Sequence, residues 1–209
     1  MKVTAIEINK YKKNTYNVFI DGNYAFGLHL KALEQTGIRK GDILNHNQIK
    51  EIIKASGYYD AIDYSRLLLS YRRRTEKELI NRLIKKGYSE LIAKKVVDVM
   101  KKTGDVNDSR FAVEWIRQRR QNKPKGNFAI KMELRKKGIS EKKIEQAFQM
   151  VNQEKPYDEL QLAWKACENM LDKYRSLPKK TAERRLIGYL KRRGFSWDVV
   201  NKIRNKYFE

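Results

Sequence analysis

Hydrophobic positions change their spacing part-way along the chain. At the start they alternate. Val3, Ala5, Ile6 and Ile8 begin one strand-like segment, Thr15–Ile20 reads as a second, and Tyr24–Leu28 as a third. Asp21-Gly22-Asn23 is a hairpin signal, because Gly and Asn accept the positive φ that primed turns require. A short helix is expected from Leu30 to a stop near Gly37, and another over Asn47–Ser56. Three short strands and two short helices make a small cap over residues 1–58, too small to be very stable alone.

From about residue 59 the spacing becomes helical. Leu79, Ile80, Leu83 and Ile84 fall on one helix face, as do Ile92, Val96, Val99 and Met100, and then Ile144, Phe148 and Val151. The longest stripe runs through Leu160, Ala163, Trp164, Cys167, Met170, Leu171 and Tyr174. This stretch also repeats. Leu83-Ile84-Lys85-Lys86-Gly87-Tyr88-Ser89 recurs as Leu134-Arg135-Lys136-Lys137-Gly138-Ile139-Ser140, and more loosely as Leu190-Lys191-Arg192-Arg193-Gly194-Phe195-Ser196. Each copy reads as a helix ended by a left-handed Gly, then one apolar residue, then a Ser that caps the next helix. Turns are expected near Thr75, Pro124-Lys125-Gly126 and Pro178-Lys179-Lys180, and Thr75-Glu76-Lys77-Glu78 is a capping-box pattern. The predicted architecture is mainly α: three tandem three-helix repeats (59–105, 106–155 and 156–209) forming an elongated array, preceded by the small β-rich, α+β cap.

Charge then narrows the class. The 209 residues carry 47 Lys and Arg against 25 Asp and Glu, a net +22, with a pI of about 10.0. Charged residues are 34% of the chain, against about 25% in an average globular protein. The excess is spread, with the cap at +4 and the repeats at +5, +7 and +6. A polyanion or an acidic protein is the expected partner, and one that is itself long suits charge spread over a repeat array. Uniform positive charge opposes self-association, so a monomer is expected. No apolar run approaches the ~18 residues of a membrane span, and the N-terminal segment lacks a signal-peptide apolar core. One cysteine excludes an internal disulfide framework and points to a reducing compartment, the cytoplasm by default.

Catalytic chemistry finds little support. His29 and His46 are the two histidines, both in the cap and without a nearby cysteine, so zinc-ligand spacing is absent. Cys167 sits on an apolar stripe and reads as a small buried hydrophobe. No phosphate-cradling Gly-rich loop follows a strand. Asp105 and Asp108 lack a distinctive pairing, and Asn107-Asp108 reads more simply as a helix N-cap region. The expectation is a non-enzymatic protein with no catalytic residues, metal or cofactor.

Basic clusters are the remaining candidates: Arg72-Arg73-Arg74, Lys85-Lys86, Arg117 with Arg119-Arg120, Lys123 with Lys125, Lys136-Lys137, Lys179-Lys180 and Arg192-Arg193. The pairs at 85–86, 136–137 and 192–193 each precede a terminating Gly, where cations complement the helix dipole by ~0.3–1 kcal/mol. For these pairs, dipole complement and partner contact are both open readings. The three arginines at 72–74, read as helical, span about 200° of surface and cannot share one intrahelical partner, which favours contact with a polyanion or acidic surface. Aromatics interleave, with Tyr71 beside Arg72, Trp115 beside Arg117, and Tyr189 and Trp197 flanking Arg192-Arg193. Trp115 and Trp164 read as core; Tyr71 and Tyr189 are left as either core or stacking platforms.

These residues resemble a known family. Asp63 through Leu79, closing at Lys86-Gly87-Tyr88, is similar to the first repeat of the RecX family, bacterial regulators of the RecA recombinase. So are Val106–Ala112, Trp115-Ile116-Arg117, Gly126, and Ile130 with Glu133–Ile139. The resemblance covers roughly residues 60–209, strongly in two repeats and more loosely in the third, and leaves the cap aside. It implies a non-enzymatic protein lying along the groove of the RecA–single-stranded-DNA filament. There it would alter filament assembly and usually inhibit ATP hydrolysis and strand exchange, in recombination, repair and the SOS response. The candidate contacts are then Arg72, Arg73, Arg74, Lys85, Lys86, Arg117, Arg119, Arg120, Lys123, Lys125, Lys136, Lys137, Arg192 and Arg193. A rival reading is a basic protein that binds nucleic acid directly through helix-turn-helix-like units, touching free DNA. A third is an adaptor for some other acidic protein.

Overall fold

In the computed structural model, residues 1–154, 156–174 and 176–208 are described. Strands β1 (Val3–Ile8), β2 (Thr15–Ile20) and β3 (Asn23–His29) form an antiparallel sheet in the order β1-β2-β3. The β2–β3 turn places Asp21 and Gly22 at φ of 50° and 84°, the two positive values of a primed hairpin. One sheet face buries Val3, Val18, Phe26 and Leu28 against Ala32, Ile38, Leu44 and Ile52. Helix α1 (Leu30–Thr36) is capped by His29 and stops at Gly37, which takes φ 64°, as the sequence predicts.

Helix α2 departs from expectation. It runs from His46 to Tyr71 as one 26-residue helix, where the sequence predicts a short helix over Asn47–Ser56. Its start is fixed by a capping box between Asn45 and Gln48. Its apolar residues serve two cores in succession: Ile52 faces the sheet, while Ala61, Ile62 and Leu68 join the core of the first repeat. No single stripe runs its length, so periodicity understates it. Ser56 ties the helix to the sheet edge, accepting from the His29 amide at 2.9 Å.

The helices that follow fall in threes: α3 (Glu76–Lys85) and α4 (Glu90–Lys102) behind the second half of α2; α5 (Asp108–Gln121), α6 (Asn127–Lys136) and α7 (Glu141–Glu154); then α8 (Glu159–Tyr174), α9 (Lys179–Arg192) and α10 (Trp197–Phe208). Each triplet closes its own core, around Leu79, Leu83, Val96 and Met100, then Ile116, Ile130, Leu134 and Ile144, then Cys167, Leu186, Leu190 and Ile203. This is a mainly α fold of three tandem three-helix repeats behind a small β-rich cap. By contact density the chain divides into two compact bodies, residues 1–73 with 79–106, and residues 74–78 with 107–209.

Arg72–Arg74 overturn the helical reading. Helix α2 ends at Tyr71, Arg72 is extended at φ −166°, and α3 begins only at Glu76. Thr75 opens that helix, its hydroxyl accepting from the Glu78 amide at 3.2 Å. An N-cap residue is itself non-helical, so a single helix cannot run from α2 through Thr75 into α3.

Candidate functional site

The three cation–glycine turns are built alike. Gly87, Gly138 and Gly194 sit at φ 102°, 86° and 77°, left-handed values that release each helix into the next. Two of these turns receive a helix start from the preceding repeat. At the second, the Thr75 hydroxyl donates to the Lys137 carbonyl at 2.7 Å. A Cβ on Gly138 would stand 2.6 Å from the Lys77 Cβ. At the third, the Gly126 amide donates to the Arg193 carbonyl at 2.9 Å. The backbones there approach so closely that a Cβ on Gly126 would lie 2.0 Å from the Gly194 oxygen.

The last cation of each occupied turn is held within the fold. Lys137 donates to Glu78 at 2.6 Å and lies 4.4 Å from the Trp115 ring centre. Arg193 donates to the Pro124 carbonyl at 3.0 Å and stacks 4.7 Å over Tyr189. Lys143 lies 3.6 Å from Glu76, and the buried Asp108 carboxylate accepts from the Glu76 amide at 3.0 Å.

A second group gathers around Glu133. This carboxylate accepts from Trp115 at 2.8 Å, from Arg119 at 2.7 Å and from Lys125. Burial alone would raise its pKa, but these three donors together hold it below the ordinary carboxylate range. Arg119 also lies 4.2 Å over the Trp115 ring, and Phe111 stacks on that ring at 5.6 Å. Arg117 pairs with Glu154. Arg120 donates to Asn152 at 2.9 Å and lies 4.4 Å over Tyr157, whose hydroxyl burial pushes up to about 12. The Arg120 Nε is buried without a hydrogen-bond partner among the described residues, and burial lowers the guanidinium pKa. Arg117, Arg120, Tyr157 and Lys165 line a cleft of about 540 Å³ between the second and third repeats.

The candidate cations therefore divide. Arg117, Arg119, Arg120, Lys125 and Lys137 all belong to the second repeat and are bound within the fold, Arg117, Arg119 and Lys125 to acids of that repeat, Lys137 to Glu78 of the first and Arg120 to Asn152 and the Tyr157 ring, while Arg193 is bound in the third. Lys85, Lys86, Lys123, Lys136 and Arg192 are exposed; Arg72 and Arg73 in the extended link are exposed as well, though not unpartnered, since the Arg72 guanidinium donates to the Arg73 carbonyl at 2.9 Å. Arg74, expected to face a partner, is 8% exposed. Tyr71 is 75% exposed, while the Tyr189 hydroxyl is tied to the Ala166 carbonyl at 2.7 Å. Trp115 and Trp164 pack on their cores as predicted.

The residues with catalytic potential take structural places. Cys167 is fully buried, and burial pushes its thiol up to about 11, so it stays protonated at neutral pH. His29 is buried, its Nδ1 accepting from the Lys31 amide and its Nε2 standing 3.0 Å from Asp63. No helix of the described residues is long and apolar enough to cross a membrane.

Four family models match this chain in order. They are the regulatory protein RecX N-terminal domain over residues 1–45 and the first, second and third RecX three-helix domains over 61–98, 107–147 and 157–203. The regulatory protein RecX of Bacillus pumilus is 31% identical over 99% of this chain, which spans 78% of that protein. The chain belongs to the RecX family. RecX of Bacillus subtilis is 32% identical over 93% of the chain and 74% of its own length. A crystal structure of regulatory protein RecX superposes with a TM-score of 0.72, covering 98% of both chains at 28% identity. The RecX structure from Lactobacillus salivarius, at 22% identity and a TM-score of 0.59 over 73% of this chain and 97% of that one, shares the fold.

The RecX match thus includes the cap, beyond the 60–209 span over which the sequence resemblance was drawn. RecX proteins are named as regulators, and no catalytic activity attaches to that name. What sequence reasoning missed in this RecX chain is its acids: Glu78, Glu133 and Glu154 decide which of the candidate cations stay in the fold. Only Glu78 carried a local signal, the capping-box spacing from Thr75. Lys191, 4.0 Å from the half-exposed Trp197 ring, was also passed over, although it opens the third basic run.

Proposed function

We propose that this protein regulates RecA by binding the RecA–single-stranded-DNA filament and inhibiting its ATP hydrolysis, strand exchange and assembly. The observation that supports this best is the distribution of exposed cations. After internal pairing has claimed Arg119, Arg120, Lys125, Lys137 and Arg193, every repeat still presents basic side chains to solvent. Lys85 and Lys86 do so in the first, Lys123 and Lys136 in the second, and Arg192 in the third. Weak contacts repeated along a chain suit a partner that repeats as well, because tethered sites bind with high effective concentration. On this reading Arg72, Arg73, Lys85, Lys86, Lys123, Lys136 and Arg192 touch the filament, while the cations bound inside the fold hold the repeats in shape. The protein works as a monomer in the cytoplasm.

The test is to add the protein in substoichiometric amounts to the host RecA on single-stranded DNA and follow ATP hydrolysis. A naked-DNA titration is run in the same buffer. Inhibition while most DNA remains free of the added protein supports filament binding. A change only at DNA saturation overturns it in favour of a DNA-coating protein. R72E/R73E should weaken inhibition at least tenfold with helicity unchanged, and unaltered inhibition would sink the contact assignment. Phosphate contacts also predict a steep loss of binding with salt.

A further inference from the structure

The lysine–glycine turn of the first repeat is a copy of a docking site whose occupant is visible twice elsewhere in the same chain. At Lys137-Gly138 the occupant is the start of α3: a Thr75 hydroxyl on the turn carbonyl, Lys77 against the glycine, and Glu78 on the lysine ammonium. At Arg193-Gly194 it is the start of α6, with the Gly126 amide on the turn carbonyl and Ala129 against the glycine. At Lys86-Gly87 the same parts are in place. Gly87 takes φ 102°, and Lys86 lies over the Tyr64 ring at 5.6 Å, as Lys137 lies over Trp115. Yet none of the described residues approaches within 4 Å of where a Gly87 Cβ would stand, and Lys85, Lys86 and Gly87 are all exposed.

We propose that the Lys86-Gly87 turn docks the N-terminus of a helix from a partner protein, one whose first turn is acidic. That helix would carry a hydroxyl or free amide at its N-cap and a carboxylate in its first turn. The chemistry follows from the filled copy. The N-cap donor satisfies the Lys86 carbonyl, the bare glycine lets the helix backbone close in, and the first-turn carboxylate meets the Lys86 ammonium. A second copy of this chain is a poor occupant. Its one helix start left over by the repeat order is that of α9. That start has Pro178 at the N-cap, with neither amide hydrogen nor hydroxyl, followed by Lys179 and Lys180, which would face Lys85 and Lys86. The inference needs neither DNA nor recombinase, so it stands or falls apart from the proposed function.

The probe is a helix-stabilised peptide with the sequence of residues 75–86, titrated into the full-length protein while backbone amide shifts are followed by NMR. The expected result is saturable shifts at Lys86, Gly87 and Tyr88. Affinity should fall at least tenfold in the K86E protein, and by a similar factor for a peptide carrying Thr75→Pro and Glu78→Lys. Lys86 is exposed, so K86E should keep the wild-type far-ultraviolet circular dichroism. Absence of shifts at Gly87 up to millimolar peptide, shifts confined to Gly138, or equal binding of the doubly substituted peptide would each overturn the proposal. So would a sedimentation mass that grows with concentration and reverts in K86E, because the turn would then belong to a second copy.

Discussion

The turns at Lys86-Gly87 and Lys137-Gly138 share five of seven residue characters around the glycine, the same left-handed backbone and the same lysine-over-aromatic arrangement. One is bare, and the other holds the first turn of α3 through a hydroxyl, a carboxylate and a close glycine contact. A repeated motif therefore fixes a local shape without fixing its use. The same lysine is a solvent-facing charge in one repeat and a structural fastener in the next. The difference is the presence of Thr75 and Glu78 against it.

The sharpest way to break this comparison is to add a methyl group at the glycines. Gly126→Ala would place a Cβ 2.0 Å from the Gly194 oxygen, so the backbones must separate. A loss of about 3 kcal/mol or more is expected in urea unfolding. At the bare turn, Gly87→Ala meets nothing and should cost only the left-handed conformation, about 1–2 kcal/mol. Equal losses at both positions would show that close approach contributes nothing.

Glu133→Gln comes next, with an expected loss of about 1–3 kcal/mol, because Arg119 and Lys125 lose their shared carboxylate in a half-buried setting. The wild type carries the matching pH dependence. The folded carboxylate titrates below its ordinary value of 4.5, so its contribution is fully present above that pH. It is lost as pH falls through the lower folded value. The gap in urea midpoint between wild type and E133Q should therefore hold at neutral pH and narrow below about pH 4.5; a gap that widens in acid would contradict the assignment.

The smallest effects separate the two lysines directly. Lys137→Ala should cost about 1–2 kcal/mol through its charge-assisted bond to Glu78. Lys86→Ala should stay within about 0.5 kcal/mol, as exposed substitutions do. Thermal melts of the two variants side by side would read the difference, and a Lys86 variant as destabilised as the Lys137 one would mean that its turn is already occupied.

Much of this fold was written locally. The alternation at Val3–Ile8 and Thr15–Ile20, the Asp21-Gly22 turn, the stop at Gly37 and the stripes of Ile144, Phe148 and Val151 each depend on residues a few positions apart, and each forms where the spacing predicts. Helix α2 resisted because its apolar residues divide between two cores, and no single period marks a helix that serves both. Arg72–Arg74 resisted because charge says nothing about backbone: the long helix ends at Tyr71, four residues before the N-cap at Thr75 begins the next.

By itself, the sequence determined the elements, the three repeats and a positive charge carried by all of them, because strand alternation, helical stripes and left-handed glycines are near-neighbour effects. Tertiary structure alone decided which charges remain available. Arg117 meets Glu154 across 37 residues, and Lys137 meets Glu78 across 59. A cation so paired gives up most of its field to one acid, whereas Lys85, Lys86, Lys136 and Arg192 keep theirs in solvent. Pairings at such separations follow from how helices pack, and no spacing along the chain encodes them.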